Sequence, residues 1–265
     1  MTHEMALRLA VFLGLFGVFA LGEALMPRRA RRLPRNRRWL TNGALVLIDT
    51  LTLWAMALVV PALAFGAALD AARVGWGLFN VLGLPGWIEI VLALLIFDLA
   101  IWTQHLITHR VALFWRFHRV HHADRDVDVS TGVRFHPVEI AASMGVKIGL
   151  VYALGPAPFA VLLFEVILNG SSLFNHANIA LPARAERALR WVLVTPDMHR
   201  IHHSARRDEH DSNFGFALSL WDRLFATYRG VPAAGHGAMT VGLDWQDDRP
   251  SRLGWSLALP FRRKR

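Results

Sequence analysis

The chain has 265 residues, 54% of them hydrophobic, and a mean hydropathy of +0.34. That is too apolar for an ordinary soluble domain and points to an integral membrane protein of one domain or two. The net charge of +9 is expected to face an anionic membrane surface rather than nucleic acid, and the absence of cysteine excludes disulfide frameworks and thiolate metal sites.

The first apolar run, about 5–25, is as long as a bilayer span. It ends in Pro27 and a run of arginines instead of a small-residue cleavage site, so it reads as a retained helix. The next segment, PRRARRLPRNRR, is expected in the cytoplasm by the positive-inside rule. A second apolar run, about 40–65, then returns outward, and the stretch GAALDAARVGWG is read as the outer connection. A third run, about 86–103, comes back in and carries His105 and His109 to the cytoplasmic side. Residues 140–172 are apolar but broken at GPAP. Each half holds roughly 15 residues, short for a full crossing, so a tight hairpin, full or re-entrant, is expected. After Pro182 the chain is largely polar, with short helical patterns, and closes on FRRKR. The fold class is therefore all-α: an integral membrane bundle of about 4–5 transmembrane or re-entrant helices with a cytoplasmic histidine-rich helical lobe.

Ten of the thirteen histidines form one ordered series. His105 and His109 have H-x3-H spacing at a helix end. His118, His121 and His122 read H-x2-H-H, His136 and His176 stand alone, and His199, His202 and His203 repeat H-x2-H-H. Residues four apart share a helix face, so His105 and His109 can converge on one metal. In H-x2-H-H all three rings can border one cavity, and the adjacent pair can serve two metals. Basic, histidine-rich segments also contact lipid headgroups, but that does not account for three spaced clusters on one side of the membrane. Eight to ten neutral imidazoles suit two metal ions of the iron, zinc, copper or nickel type. His3, His210 and His236 fall outside the series and read as surface residues.

The ordered strings DLAIWTQHLITH, WRFHRVHH, RFHPVE, NHAN, TPDMHRIHH and DSNFGFALSLWDRLFATY resemble the fatty acid hydroxylase superfamily, in particular its bacterial sterol-desaturase-like members. The resemblance runs from about Asp98 to Tyr228, with small departures at Leu106 and Ala226. It implies a catalytic domain over 86–230, preceded by transmembrane helices and a basic loop in 1–85 and followed by a basic tail in 231–265. It also implies a membrane-bound di-iron enzyme that uses molecular oxygen to hydroxylate or desaturate a lipid. Carried over by position, the metal ligands are His105, His109, His118, His121, His122, His176, His199, His202 and His203, with His136 matching the family's HP histidine.

Asp98 lies seven residues before His105, on the same helix face. A carboxylate inside a membrane helix is expensive, and Asp98 could orient a ligand imidazole or make a helix-packing hydrogen bond. Asn178 and Asp197 have similar readings. Glu139 is expected to pair with Arg134, and Asp222 to cap a turn or pair with an arginine. Glu165 and Asp49 also lie in apolar runs, without an assigned role.

The alternative is a histidine-rich membrane metal transporter or metal-binding protein without redox catalysis. Transporter sites usually sit near mid-membrane on broken helices, whereas these histidines lie at or beyond helix ends. The chain has no complete G-x-G-x-x-G, no P-loop and no haem-type cysteine motif, so no nicotinamide or flavin site is expected. The expected cofactors are two iron ions, exchangeable for zinc on purification. Electrons are expected from a reductase with a cytochrome b5-like or ferredoxin-like carrier, and the site is expected on the cytoplasmic side of a bacterial inner membrane.

Overall fold

The computed structural model describes residues 3–59 and 63–262. The side chain of His3 and the last three residues of FRRKR lie outside the described residues. The chain begins with α1 (His3–Leu25), α2 (Arg35–Val59), α3 (Leu63–Val74), α4 (Leu78–Leu82), α5 (Gly86–Arg110) and α6 (Ala112–His122). After a short 3-10 turn (Val129–Val133) come α7 (Pro137–Leu154), α8 (Pro158–His176), α9 (Ala183–Leu189) and α10 (Pro196–His202). Shorter helical turns complete the chain. Pro137, Pro158 and Pro196 each occupy the first position of a helix, where a missing N–H costs nothing.

Among the described residues, five segments are long and apolar enough to cross a membrane: α1, α5, α7, α8, and the stretch that starts with α2 and ends with α4. The two arms of the hairpin are longer than the sequence suggested. At 18 and 19 residues, α7 and α8 measure about 27 and 28 Å, close to the ~30 Å hydrocarbon core. Gly155 ends α7 in a left-handed conformation (φ 62°), and a Cβ there would lie 2.2 Å from the Trp76 carbonyl oxygen. The hairpin tip therefore packs tightly on the connection that precedes α4.

The GAALDAARVGWG stretch is mostly helix rather than a plain connection. Ala64, Ala67, Ala68 and Ala71 bury the small face of α3, which packs on α7 and α8. Small side chains allow that close approach and carry little hydropathy signal of their own. Glu165, deep in α8, accepts from Lys147 of α7 at 2.8 Å and pairs with Arg8 of α1. Three membrane helices thus share one buried charge, which answers part of the cost of burying it.

The basic loop after α1 does not simply face lipid. Arg28 pairs with Asp197 at 3.0 Å, and Arg29 donates to the Met239 carbonyl at 2.6 Å. The Arg32 and Leu33 backbone N–H groups donate to Asp126 at 2.9 and 2.6 Å. At the start of α2, Arg38 makes a two-pronged contact with Asp124 (2.7 and 2.8 Å) and reaches Asp128 at 2.7 Å. Residues 231–262, read as a basic tail, also fold back. Trp255 and Leu259 bury against Leu45, Val120 and Ala123, and Arg119 donates to the Leu259 carbonyl.

Arg38 is 1% exposed and carries both aspartates, so Arg38→Ala should destabilise by about 3–5 kcal/mol, the cost of stranding buried carboxylates. Thermal unfolding in mild detergent should show the melting temperature falling on the order of 10 °C. The exposed neighbour variant Arg37→Ala should stay near wild type.

Candidate metal centre

The structure brings nine of the ten serial histidines together in two adjoining groups. His105, His109, His118, His122 and His202 form one group, and His121, His176, His199 and His203 form the other. All nine are buried, and within each group the ligand-capable nitrogens lie within 4.8 Å of one another. The end of α5 supplies His105 and His109, and the end of α8 supplies His176. Each H-x2-H-H string serves both groups rather than walling one side. Outer residues four apart (His118 and His122, His199 and His203) turn to one group, and the middle residue (His121, His202) turns to the other.

Oxygen acceptors hold most of the rings by their Nδ1 atoms. The Nδ1–H of His105 donates to the Phe214 carbonyl (2.7 Å), that of His121 to the Arg134 carbonyl (3.1 Å), that of His176 to the Ser172 carbonyl (2.6 Å) and that of His202 to the Ser212 carbonyl (2.8 Å). His118 donates to the Glu139 carboxylate at 2.6 Å, and Asp211 lies 3.4 Å from His109 Nδ1. Gly132 makes one of these contacts possible: a Cβ there would lie 2.7 Å from the Ser172 carbonyl oxygen that orients His176.

These bonds decide the tautomers. A carbonyl oxygen only accepts, so the proton sits on Nδ1 and Nε2 is left as a bare lone pair. His105 Nε2 lies 3.1 Å from His118 Nε2, and His121 Nε2 lies 3.0 Å from His176 Nε2. In the His121–His176 pair both Nδ1 protons are committed to carbonyls, so this contact cannot be a hydrogen bond and two lone pairs face each other. His202 Nε2 is buried with no hydrogen-bond partner at all. A cation between such nitrogens resolves the repulsion, and the donor set of neutral imidazoles suits a first-row divalent metal. The residues present fit a metal in each group.

Burial pushes His121, His122, His199, His202 and His203 well below the usual imidazole range, and neighbouring imidazoles push in the same direction. The rings are therefore neutral at pH 7, the form that ligates.

The other predicted residues fall elsewhere. His136 is in neither group: its Nδ1 accepts from the Val138 N–H at 3.2 Å and caps α7, and its Nε2 faces the Leu257 carbonyl. Asp98 accepts from Trp221 Nε1 at 2.8 Å and from the Leu218 N–H at 3.3 Å, a packing role rather than contact with a ring of the groups. Asn178 exchanges hydrogen bonds with the Arg29 backbone, and Asp197 pairs with Arg28 and Arg200. Glu139 meets His118, not Arg134, whose guanidinium is spent on Asn42, Ser256 and the carbonyls of Val120 and Pro250. Asp222 caps without an arginine. It accepts from the Phe214 and Gly215 N–H groups and from Trp102, and so steadies the carbonyl that holds His105.

Of the histidines read as surface residues, His210 is buried and His236 is partly covered. His210 is 8% exposed, stacks on Trp115 and groups with His109 and Asp211. His236 is partly covered beside Asp197, and burial lowers its pKa to about 4. The sequence reading missed Glu139 as a histidine partner and missed Asp211. Glu139 stands close to Arg134 in the sequence and far from His118, so the pairing that forms is not the nearest one along the chain.

Residues 90–227 match the fatty acid hydroxylase family. The chain belongs to it. Among similar proteins, the ornithine lipid hydroxylase OlsE of Rhizobium tropici is 30% identical over 149 residues, covering 56% of this chain and 44% of the relative. Alkylglycerol monooxygenase of Homo sapiens is 28% identical over 136 residues, covering 49% of this chain and 28% of the relative. Cholesterol 25-hydroxylase of Homo sapiens is 28% identical over 150 residues, covering 55% and 53%. The chain thus spans about half or less of each of these relatives. No solved structure matches. Within the fatty acid hydroxylase family these relatives are lipid hydroxylases and monooxygenases, which makes them oxidoreductases.

Protein purified in mild detergent should hold about two metal ions per chain by elemental analysis. His202→Ala and His176→Ala should each lower that count, whereas His136→Gln should leave it unchanged. Glu139→Gln should weaken metal binding about 10- to 100-fold in a chelator competition, because the carboxylate raises the basicity of His118.

Acid should also weaken the metal-free fold. The buried histidines bind protons less readily than the unfolded chain does, so below about 6.5 the unfolded state carries the extra protons. The stability of chelator-treated protein should therefore be full above that pH and fall as the pH drops toward 5, read as a falling melting temperature.

Proposed function

We propose that this chain is a membrane-bound di-iron oxygenase that hydroxylates or desaturates a lipid, with the nine grouped histidines as metal ligands. The supporting observation is the pair of adjoining imidazole groups, in which the Nε2 atoms of His105 and His118, of His109 and His122, and of His121 and His176 face each other at 3.0–3.1 Å. Two adjacent metal sites at the end of a lipid-facing helix bundle suit oxygen chemistry on a chain that arrives from the bilayer. Membership of a family whose relatives are lipid hydroxylases and monooxygenases supports the same reading. The grouped histidines sit at the ends of α5 and α8, on α6, and on or next to α10, not at mid-membrane breaks, which supports an enzyme over a transporter.

Bound iron would supply reductive activation of O2 and abstraction of hydrogen from an unactivated C–H bond. Hydroxylation balances as R–H + O2 + 2 e⁻ + 2 H⁺ giving R–OH + H2O. Desaturation uses the same oxidant and electrons, removes two hydrogens from adjacent carbons and gives two waters. The protein's part is positional. Carbonyls of Phe214, Arg134, Ser172 and Ser212 fix four rings, and Glu139 fixes a fifth. Full burial of the rings excludes bulk water, which suppresses side reactions. The two electrons come from a separate reductase with a cytochrome b5-like or ferredoxin-like carrier. The arginine-rich loop and the charge bias of the connections support a site on the cytoplasmic face of a bacterial inner membrane.

The test is isotopic. With reductase, carrier and a membrane lipid extract, a hydroxylated product should carry its oxygen from labelled O2, and a desaturated product should be accompanied by oxygen uptake. Label from water, or turnover under strict anaerobiosis, would mark a hydrolytic metal site instead.

A further inference from the structure

One aromatic ring bridges the two histidine groups. Phe216 lies 5.1 Å, centroid to centroid, from His105 of the first group and 6.2 Å from His199 of the second. Among the described residues it is the one phenyl or indole ring in contact with both groups. Phe214 and Trp115 meet rings of the first group, and Phe135 meets His121 of the second. Phe216 also packs against the apolar core of the membrane helices, the cluster that contains Phe97, Ile101 and Phe164. It is half-buried, unlike the fully buried Phe214 two residues earlier.

The helices on either side lead to the same point. On α5, Phe97, Ile101 and His105 follow one another at four-residue steps, so one face runs from membrane core to metal group. On α8, Phe164, Leu168 and Asn175 lie on a common face, and Asn175 immediately precedes His176. Within this seam Phe97 meets Phe164 as a tilted pair at 5.0 Å. At its lower end Asn175 donates from Nδ2 to the Phe216 carbonyl at 3.1 Å. The Asn175 amide oxygen is buried and has no hydrogen-bond partner, in a residue 1% exposed. An unpaired buried acceptor costs about 1–3 kcal/mol unless something fills it. A hydroxyl on a substrate or product is a fitting donor at that place.

Resting on the oxygenase reading above, we propose that Phe216 is the gate and depth stop of the substrate path. An unbranched alkyl segment of a bilayer lipid enters along the α5–α8 seam and displaces the Phe216 ring. It then presents to both metal groups the carbon that the ring's position selects. Asn175 fastens the gate through the Phe216 carbonyl, and its free amide oxygen accepts the hydroxyl of the oxidised carbon. Phe216 is thus a positioning residue, and its substitution moves the point of attack rather than removing the metals.

Three measurements test this. First, lipids carrying a photoactivatable diazirine at defined chain carbons are crosslinked to wild-type protein in detergent, without reductant, and the labelled residue is mapped by mass spectrometry. Crosslinks at Phe216 or its neighbours from mid-chain carbons support the path. Labelling confined to the outer, lipid-exposed faces of the helices overturns it. Second, the metal content of Phe216→Ala, Phe216→Leu and Phe216→Trp should match wild type. Third, product analysis should show Phe216→Ala shifting the ratio of oxidised positions by about ten-fold, the scale of a lost methylene-sized contact. Phe216→Trp should consume more oxygen per lipid oxidised. Unchanged positions in variants that keep their metal overturn the gate. Should Phe216→Ala lose metal, the milder Phe216→Leu and the wild-type crosslink decide the question. A wild type without oxygen-dependent product would sink the oxygenase reading, while the crosslink would still report on the path.

Discussion

Lone pairs that face each other in a dry interior are the constraint on which the rest of this structure depends. His121 and His176, whose Nε2 atoms meet at 3.0 Å, each have their Nδ1 proton pinned to a carbonyl oxygen on the far side of the ring. A protonated ring would relieve the repulsion, but burial among other imidazoles opposes charge. The arrangement therefore suits a cation other than a proton. Everything around it serves to hold neutral imidazoles in this unfavourable contact.

That holding is done largely by backbone carbonyls, which explains why so many loops must be placed correctly. The Phe214 carbonyl is steadied by Asp222, which also ties in Trp102 of α5. The Arg134 carbonyl belongs to a residue whose guanidinium reaches Asn42 of α2 and the carbonyl of Pro250. The Ser172 carbonyl lies against Gly132, in the turn capped by Asp128, and Asp128 in turn is held by Arg38. Membrane helix, lobe and carboxy-terminal segment are thus coupled through ring orientation. Burial pushes Arg134 down to about 10 while Asp124 opposes that shift, so the cation at this junction remains charged.

Much of the site was legible because histidine spacing is a local property. A spacing of four residues puts His105 with His109, His118 with His122 and His199 with His203 on shared helical faces, and each of these pairs falls within one group. Single residues were less legible. His136 resembles its neighbours in type but is consumed as a helix cap beside Pro137. His210 stands in a polar run yet is drawn under Trp115. Glu139 had two basic neighbours within reach, and the fold awarded it to His118 because Arg134 was already satisfied elsewhere. The small-residue face of α3 escaped notice because alanine packs through shape, with little hydropathy to mark it.

The sequence by itself determined the membrane character, the all-helical class and the set of metal-capable rings. These follow from apolar run length and from helical periodicity, which act over a few turns. Only the tertiary structure decided how the rings divide between two groups, which oxygens meet five of the rings, and that Phe216 touches both groups and the apolar helix core. Those features join residues far apart in the chain, such as Asn42 with Arg134 and Asn175 with Phe216. Such pairings are settled by competition among many polar groups for few buried partners. That competition is resolved only when the whole chain has packed.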